Sequence, residues 1–250
     1  MRNLLICFLL FAANASFAQP SRFSYEQYID NKDTLNYRML IPDYNPSRKY
    51  PLVLFLHGAG ERGADNDAQL KWGVTQFATD ENMSRFPAIV IAPQCPAGAG
   101  WANVNRTDNG FSFKSEPSRS MEMVLALVDE VIGALPVDTS RIYITGLSMG
   151  GFGTFHAISL RPDLFAAALP VCGGGDLNDV GKYADLPIWV VAGAEDSVVS
   201  PQLSIDIVNE LMRLGKSPGY TQYPEVGHFS WLMVYRDPLI LSWLFRQQKE

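Results

Sequence analysis

A serine between two glycines is the feature of the sequence best suited to chemistry, in the stretch GLSMGGFG at residues 146–153. The apolar run before it, residues 141–145, is typical of a buried strand, and the residues after it fit a helix. A strand that reverses sharply into a helix strains the middle residue and lifts its side chain clear, and flanking glycines avoid a Cβ clash. The pattern therefore predicts that Ser148 is an exposed nucleophile at a helix N-terminus; the alternative is an ordinary glycine-rich turn.

A serine hydroxyl needs a base near neutral pH, and the three histidines of the chain are the candidates. His156 lies eight residues after Ser148, which places it about 12 Å down the predicted helix and away from the strand ends. His228 follows the last predicted strand, residues 219–223, in a loop that can reach back over the strand ends. We therefore expect His228 to be the base and His156 to be a packed helix residue.

A catalytic histidine also needs a carboxylate that orients its ring and stabilises the imidazolium. Glu195 and Asp196 both follow the predicted strand at residues 187–193. Asp196 is the deeper member of the turn, so it is the predicted partner, and Glu195 is predicted to be solvated. The resulting chain order of serine, aspartate and histidine is that of α/β-hydrolases.

The loop HGAGERG, residues 57–63, follows another apolar run and is predicted to lie at the same sheet edge as Ser148. An acyl-transfer site needs backbone N–H groups aimed at the oxyanion, one from the residue after the nucleophile and one from such a loop. Met149 and Ala59 are the predicted donors. His57 ends the strand, where its ring is expected to pin the loop and not to act as the base.

The elements that must position these residues follow from the distribution of apolar runs. An N-terminal antiparallel hairpin is predicted from residues 23–29 and 35–41. Continuous apolar runs, typical of strands covered on both faces, lie at residues 51–57, 88–93, 141–145, 165–171 and 187–193. Helical periodicity is clearest at residues 121–135, and further helices are predicted at residues 69–78, 150–160, 201–214 and 238–247. This alternation predicts an α/β fold with a mostly parallel, doubly wound sheet, which binds ligands at the carboxyl ends of its strands.

Residues 1–18 have the pattern of a secretory signal peptide, with a positive start, an apolar run and small residues before the expected cleavage point. The apolar run is too short for a membrane span, which needs roughly 20 residues, and no later segment is long and apolar enough. We therefore expect cleavage near Ala18, a secreted or periplasmic protein without stable membrane insertion, and one domain over residues 19–250. The net charge of −6 gives no footprint for nucleic acid binding.

The substrate pocket is expected to be open, because only residues 172–186 separate two predicted strands, too few for a cap domain. The long irregular stretch at residues 94–115 is expected to wall one side of it. Candidate substrate-binding residues are Trp101, Trp231, Arg62 and Gln94. For Arg62, an ion pair with Glu61 that stabilises the loop is favoured over a substrate contact. For each aromatic residue, core packing is the alternative.

Cys95 and Cys172 are the cysteines left once the signal peptide is removed. A disulfide between them needs loops that bend over the site, since their predicted strands lie roughly 14 Å apart. A free, buried Cys172 thiol in the pocket wall is the favoured alternative. Neither cysteine has the partners expected of a nucleophile or a zinc site, so no metal or cofactor is expected.

The motifs HGAGERG, APQCP, GLSMGGFGT, VCGGGD and GHFSW, with the turn at Asp196, extend over nearly the whole chain after the hairpin. In these motifs the chain resembles small carboxylesterases of the α/β-hydrolase superfamily. The resemblance is to the esterase-D-like, polyhydroxybutyrate-depolymerase-like and phospholipase/carboxylesterase groups. The resemblance implies an α/β-hydrolase fold, a triad of Ser148, His228 and Asp196, and an oxyanion hole from Ala59 and Met149. It also implies action on esters, among them acetyl and feruloyl groups on plant polysaccharides.

We therefore expect a cofactor-free serine carboxylesterase that hydrolyses small acyl esters of the acetyl or feruloyl type, free or linked to a polysaccharide. One alternative is a serine peptidase of the prolyl-oligopeptidase type, which shares the fold and triad but usually carries a propeller domain. A non-catalytic binding protein on the same fold is the other alternative. The sequence specifies neither the acyl and alcohol groups of the substrate nor the oligomeric state.

Overall fold

The computed structural model describes residues 20–249 except 44, 46, 108 and 109, so the predicted signal peptide lies outside the described residues. Within this part the chain forms ten strands: β1 (Ser24–Asp30), β2 (Asp33–Leu40), β3 (Tyr50–Leu56), β4 (Ile89–Pro93), β5 (Val104–Thr107), β6 (Gly110–Phe113), β7 (Val137–Leu147), β8 (Ala167–Val171), β9 (Trp189–Gly193) and β10 (Gly219–Tyr223). Eight of them form one sheet in the order β1-β2-β4-β3-β7-β8-β9-β10. The other two, β5 and β6, form a separate small hairpin.

The sheet is antiparallel only at its N-terminal side. β1 pairs with β2 and β2 with β4 in antiparallel fashion, whereas every pair from β4 to β10 is parallel. The predicted hairpin and the mostly parallel sheet are therefore confirmed. The parallel strands bring their carboxyl ends to one edge, and the residues after them are the ones that can meet there.

Six α-helices connect and cover the strands within the described residues: α1 (Asp80–Arg85), α2 (Arg119–Ala134), α3 (Met149–Leu160), α4 (Pro201–Arg213), α5 (Trp231–Val234) and α6 (Pro238–Arg246). Four of them begin at a side-chain cap, since Thr79, Ser118, Ser200 and Asp237 each accept a hydrogen bond from a backbone N–H in the first turn. The helices predicted near residues 121–135, 201–214 and 238–247 are thus confirmed. In the described part of the chain, no helix has both the length and the apolar character that crossing a bilayer requires.

The continuous apolar run of β3 is explained by burial on both faces of the sheet. Leu54 and its like-facing neighbours belong to a core layer that includes Met121 of α2 and Phe155 of α3. Phe55 faces the other way, into a layer that includes Tyr235 beside α5. Because side chains alternate along a strand, a strand covered on both sides must be apolar at every position.

The predicted helix at residues 69–78 is wrong. The chain there forms two 3₁₀ segments, Ala68–Leu70 and Val74–Ala78, separated by Gly73. Gly73 has φ of +75°, and a Cβ on it would lie 2.4 Å from Cδ2 of Tyr235. A residue in this left-handed conformation, pressed against a buried ring, interrupts the helix that the apolar periodicity favours.

The long stretch at residues 94–115 is also less irregular than predicted, because it contains the β5–β6 hairpin. The predicted absence of a cap agrees with the described chain between β8 and β9, which holds only the 3₁₀ helix Leu177–Tyr183. The carboxyl edge of the sheet therefore carries loops and one short hairpin above the strands.

Candidate active site

Ser148 lies in the sharp turn between β7 and α3, as the glycine pattern predicts. Its backbone has φ of 53° and ψ of −116°, a conformation that side-chain-bearing residues rarely adopt. Hydrogen bonds hold it from both sides: its N–H donates to the Val171 carbonyl at 2.9 Å, and its carbonyl accepts from Gly151 at 2.8 Å. Strain of this kind costs on the order of 1–3 kcal/mol and persists only where the surroundings enforce it.

Gly150 is the residue that lets this turn approach β3. A Cβ built on Gly150 would lie 1.9 Å from the Leu56 carbonyl oxygen and 2.9 Å from that of His57. No side chain fits in that space, because backbone atoms on both sides are fixed by the sheet. The close contact places the end of β3, and the loop after it, directly beside Ser148.

Ser148, His228 and Asp196 form a continuous hydrogen-bonded chain. The Nε2 atom of His228 lies 2.9 Å from Oγ of Ser148, and its Nδ1 lies 2.7 Å from Oδ2 of Asp196. The three residues come from loops after β7, β9 and β10, so the parallel sheet delivers them to one point. This arrangement fits a base that removes the serine proton while the carboxylate fixes its tautomer.

Backbone hydrogen bonds fix the side chain of Asp196 independently of its bond to His228. Its Oδ1 accepts hydrogen bonds from the backbone N–H groups of Val198 and Val199, both at 2.9 Å, and its side chain is only 1% exposed. Glu195 is exposed, as expected. Trp231 packs edge-on against the His228 ring, with ring centroids 5.0 Å apart.

The loop after β3 offers backbone donors beside Ser148. Residues 59–61 form a 3₁₀ turn, and a Cβ on Gly58 would lie 2.9 Å from Cδ1 of Leu147, so the loop packs on the elbow. Neither Ala59 nor Met149 has a backbone N–H bonded to an acceptor in the described part of the chain. Two unpaired N–H groups beside a nucleophile are what an oxyanion hole requires.

Both ring nitrogens of His57 are hydrogen-bonded to backbone groups. Nδ1 donates to the Gly58 carbonyl at 2.6 Å, and Nε2 accepts the backbone N–H of Cys95 at 2.9 Å. Burial lowers the pKa of His57 to about 4, so the ring is neutral near pH 7. Trp101 donates its indole N–H to the His57 carbonyl at 3.0 Å. These contacts make His57 a pin between the loops after β3 and β4.

His156 is buried in α3 and packs against Phe113, with ring centroids 4.5 Å apart. Burial lowers the pKa of His156. It is a packed helix histidine, as its distance along the helix from Ser148 predicts.

A pocket of about 540 Å³ opens beside Met149. Its described walls are Arg62, Gly100, Ala102, Val104, Phe111, Met149, Phe152, Val198, Val199, Ser200 and Leu203. Phe111 belongs to the stretch at residues 94–115 that the sequence predicts as one wall of the pocket. Phe152, Leu203 and the valines after Asp196 were missed, because an apolar residue in a helix or turn gives no sign in the sequence that it faces a pocket and not the core.

Only Arg62 of the four candidate substrate-binding residues lines this pocket. Trp101 is fully buried and supports the His57 carbonyl, which removes it from the pocket wall. Gln94 is 1% exposed, and its amide bonds the Glu61 carbonyl, Asp65 and the Asn66 N–H. Trp231 is 4% exposed and packs against His228. These three residues hold the loops of the site in place and do not line the pocket. The sequence alone does not distinguish a large residue that stabilises a loop from one that contacts the substrate.

The favoured ion pair between Glu61 and Arg62 is not formed. Glu61 turns into the protein, where burial raises the pKa of its carboxyl. Arg62 turns the other way, into the pocket. Glu61 ends the 3₁₀ turn and Arg62 is the first extended residue after it, so the two side chains leave the backbone in different directions.

Cys95 and Cys172 are both free and buried. The Cys172 thiol pairs with the Ser230 hydroxyl, and burial raises the thiol pKa to about 11. Contrary to expectation, Cys172 does have neighbours of metal-ligand type, since its sulfur and ligand atoms of Asp196 and His228 lie within 4.8 Å of one another. These groups already bond each other or Ser230, and a protonated thiol is a poor ligand.

A family model described as phospholipase/carboxylesterase matches residues 44–236. The chain belongs to the phospholipase/carboxylesterase family. The elbow, the loop after β3 and the loops carrying Asp196 and His228 all lie inside the matched residues. The α/β-hydrolase resemblance drawn from the motifs is therefore confirmed.

A solved structure of a thermostable esterase shares 37% sequence identity, with a TM-score of 0.85 over 92% of this chain and 64% of that one. A bifunctional acetylxylan esterase/xylanase from Neocallimastix patriciarum is 28% identical over 61% of this chain and 20% of its own length. A poly(3-hydroxyalkanoate) depolymerase from Paucimonas lemoignei is 31% identical over 66% of this chain and 39% of its own. This chain therefore spans less than two fifths of the length of either curated relative.

Substituting Gly150 with alanine should destabilise the fold by at least about 2 kcal/mol, because the new methyl group meets the Leu56 carbonyl. Urea unfolding measures the change. The matched control is Gly133→Ala in α2, where a Cβ meets nothing within 4 Å and helix propensity predicts a gain of up to about 1 kcal/mol. Similar effects from the two alanines would contradict the close elbow packing.

His57 should make stability depend on pH below neutrality. Its pKa is about 4 when folded against 6.5 in the free side chain, so the unfolded chain takes up the proton first as pH falls. Its contribution is full above pH 6.5 and is lost between pH 6.5 and 4, by about 3 kcal/mol in all. Urea unfolding at pH 7 and 4.5 should show a shallower pH dependence in His57→Gln than in the wild type. Equal dependence in the two proteins would sink the assignment of a buried, neutral His57.

Proposed function

We propose that the protein is a secreted serine carboxylesterase that hydrolyses small acyl esters through a triad of Ser148, His228 and Asp196. The observation that carries the proposal is the chain of two hydrogen bonds, 2.7 and 2.9 Å, linking the three side chains. The strained backbone at Ser148 supports it, since strain of this kind concentrates at functional sites. Membership of the phospholipase/carboxylesterase family supports the same reaction class.

In this mechanism His228 takes the proton of Ser148 as the hydroxyl oxygen attacks the ester carbonyl. The Ala59 and Met149 N–H groups stabilise the negative charge on the carbonyl oxygen, helped by the N-terminus of α3. His228 then gives its proton to the leaving alcohol, and an acyl group remains on Ser148. Water, deprotonated by His228, attacks this acyl-enzyme and releases the acid.

The proposed substrates are acetyl- and feruloyl-type esters, free or displayed on a polysaccharide. The pocket of about 540 Å³ suits an acyl group of this size, and its wall includes Phe111 and Phe152. The carboxyl edge of the sheet has no cap domain between β8 and β9, where only the short 3₁₀ helix lies. An ester group carried on a polymer can therefore approach Ser148 from that edge. The relative named as a bifunctional acetylxylan esterase/xylanase supports a polysaccharide ester.

Ser148→Ala and His228→Gln should each lower kcat/KM on 4-nitrophenyl acetate by at least about 10⁴-fold, because both remove the activated nucleophile. His57→Gln should lose less, since it disturbs only loop geometry. Ser84→Ala on α1, an exposed serine, is the matched control and should keep wild-type rates. Survival of most activity in Ser148→Ala, or equal losses from the two histidine variants, would refute the assignment.

A matched amide, 4-nitroacetanilide, should be turned over far more slowly than the ester; equal rates would favour a peptidase.

The proposal includes export as a single domain of residues 19–250 after removal of residues 1–18. The N-terminal sequence of protein recovered outside the cytoplasm should then begin at Gln19. Recovery of the chain with Met1 intact and only within the cytoplasm would contradict export.

A further inference from the structure

Arg62 brings a positive charge into a pocket that is otherwise mostly apolar. Among the described lining residues it carries the sole charge, and Ser200 carries the sole hydroxyl group. The pocket also includes Met149, the residue after Ser148, and Val199, which holds Asp196. The guanidinium therefore lines the same cavity as the proposed oxyanion donor.

The Arg62 guanidinium has no carboxylate within 4 Å among the described residues. Its Nε atom is buried and has no hydrogen-bond acceptor there. Arg38, Arg119 and Arg141, by contrast, each pair with an aspartate. A guanidinium offers five donors and is always charged, and the partly exposed Arg62 has no carboxylate partner among the described residues, so it can offer these donors to an anionic group in the pocket.

The backbone on each side of Arg62 is tied down. The Glu61 carbonyl accepts from the Gln94 amide at 3.1 Å, and the Gly63 N–H donates to the Cys95 carbonyl at 3.0 Å. The same loop carries Ala59. The backbone that carries Arg62 is thus fixed before any substrate enters, so only the side chain has to be ordered on binding.

We infer that Arg62 recognises a free carboxylate on the ester substrate. The inference rests on the proposed esterase function and narrows it to esters with an apolar body and an anionic group near the scissile bond. Arginine matches a carboxylate with two parallel N–H···O bonds, which fixes orientation as well as charge. The carboxylate lies on the acyl side in a half-ester of a diacid, or on the alcohol side in an acylated hydroxy acid.

The test compares kcat/KM for two charged esters with their neutral counterparts. The acyl-side pair is 4-nitrophenyl hydrogen succinate and 4-nitrophenyl butyrate; the alcohol-side pair is 3-acetoxybenzoate and phenyl acetate. Arg62→Gln should lower the charged-to-neutral ratio at least about tenfold for one pair, mainly through KM. Arg62→Lys should restore part of it. Arg85→Gln on α1 removes an exposed charge outside the pocket and should leave both ratios unchanged.

An unchanged ratio for both pairs in Arg62→Gln, or the same change in Arg85→Gln, would overturn the inference. Binding of monoethyl succinate and ethyl butyrate, measured by calorimetry on Ser148→Ala, separates it from the proposed function. Adding Arg62→Gln should raise the Kd of the charged ester alone by about tenfold or more. If the wild type hydrolyses none of the esters, the proposed function fails and this Kd comparison still decides the role of Arg62.

Discussion

The close approach of the α3 N-terminus to the end of β3 is the constraint on which the rest of the site depends. The Leu56 carbonyl occupies the space where a side chain on residue 150 would be, so the turn after β7 can close only with glycine there. This closure forces φ of 53° on Ser148 and turns its hydroxyl towards His228. The sheet supplies the rigidity that keeps such strain from relaxing.

Loops that carry no reacting side chain do most of the positioning around this turn. His57 donates to the Gly58 carbonyl of its own loop at 2.6 Å and accepts the Cys95 N–H of the loop after β4 at 2.9 Å, and it makes both bonds as a neutral ring. Gln94 adds further bonds to the loop that carries Ala59 and Arg62. A charged or mobile group at either position would displace the backbone N–H groups that the proposed reaction uses to stabilise the oxyanion.

The sheet, and the meeting of Ser148, Asp196 and His228 at one of its edges, could be predicted from the sequence. Both depend on local sequence patterns and on the parallel order of the strands. A G-x-S-x-G turn between a strand and a helix is a local feature, and residues after successive parallel strands must meet. The two 3₁₀ segments at residues 68–78 were not predictable from the sequence, since the break between them depends on Tyr235 lying against Gly73. The burial of Trp101 and the opposite directions of Glu61 and Arg62 likewise arise from packing between distant segments.

The central claim is that the hydrogen-bonded chain from Asp196 through His228 makes Ser148 an activated nucleophile. Mass spectrometric mapping of the folded protein after reaction with a fluorophosphonate probe tests it most directly. We expect one adduct, on Ser148, that does not form when the protein is first unfolded in denaturant, because the hydrogen-bonded geometry activates the serine. An adduct on another residue, or an unmodified Ser148 in folded and hydrolytically active protein, would contradict it.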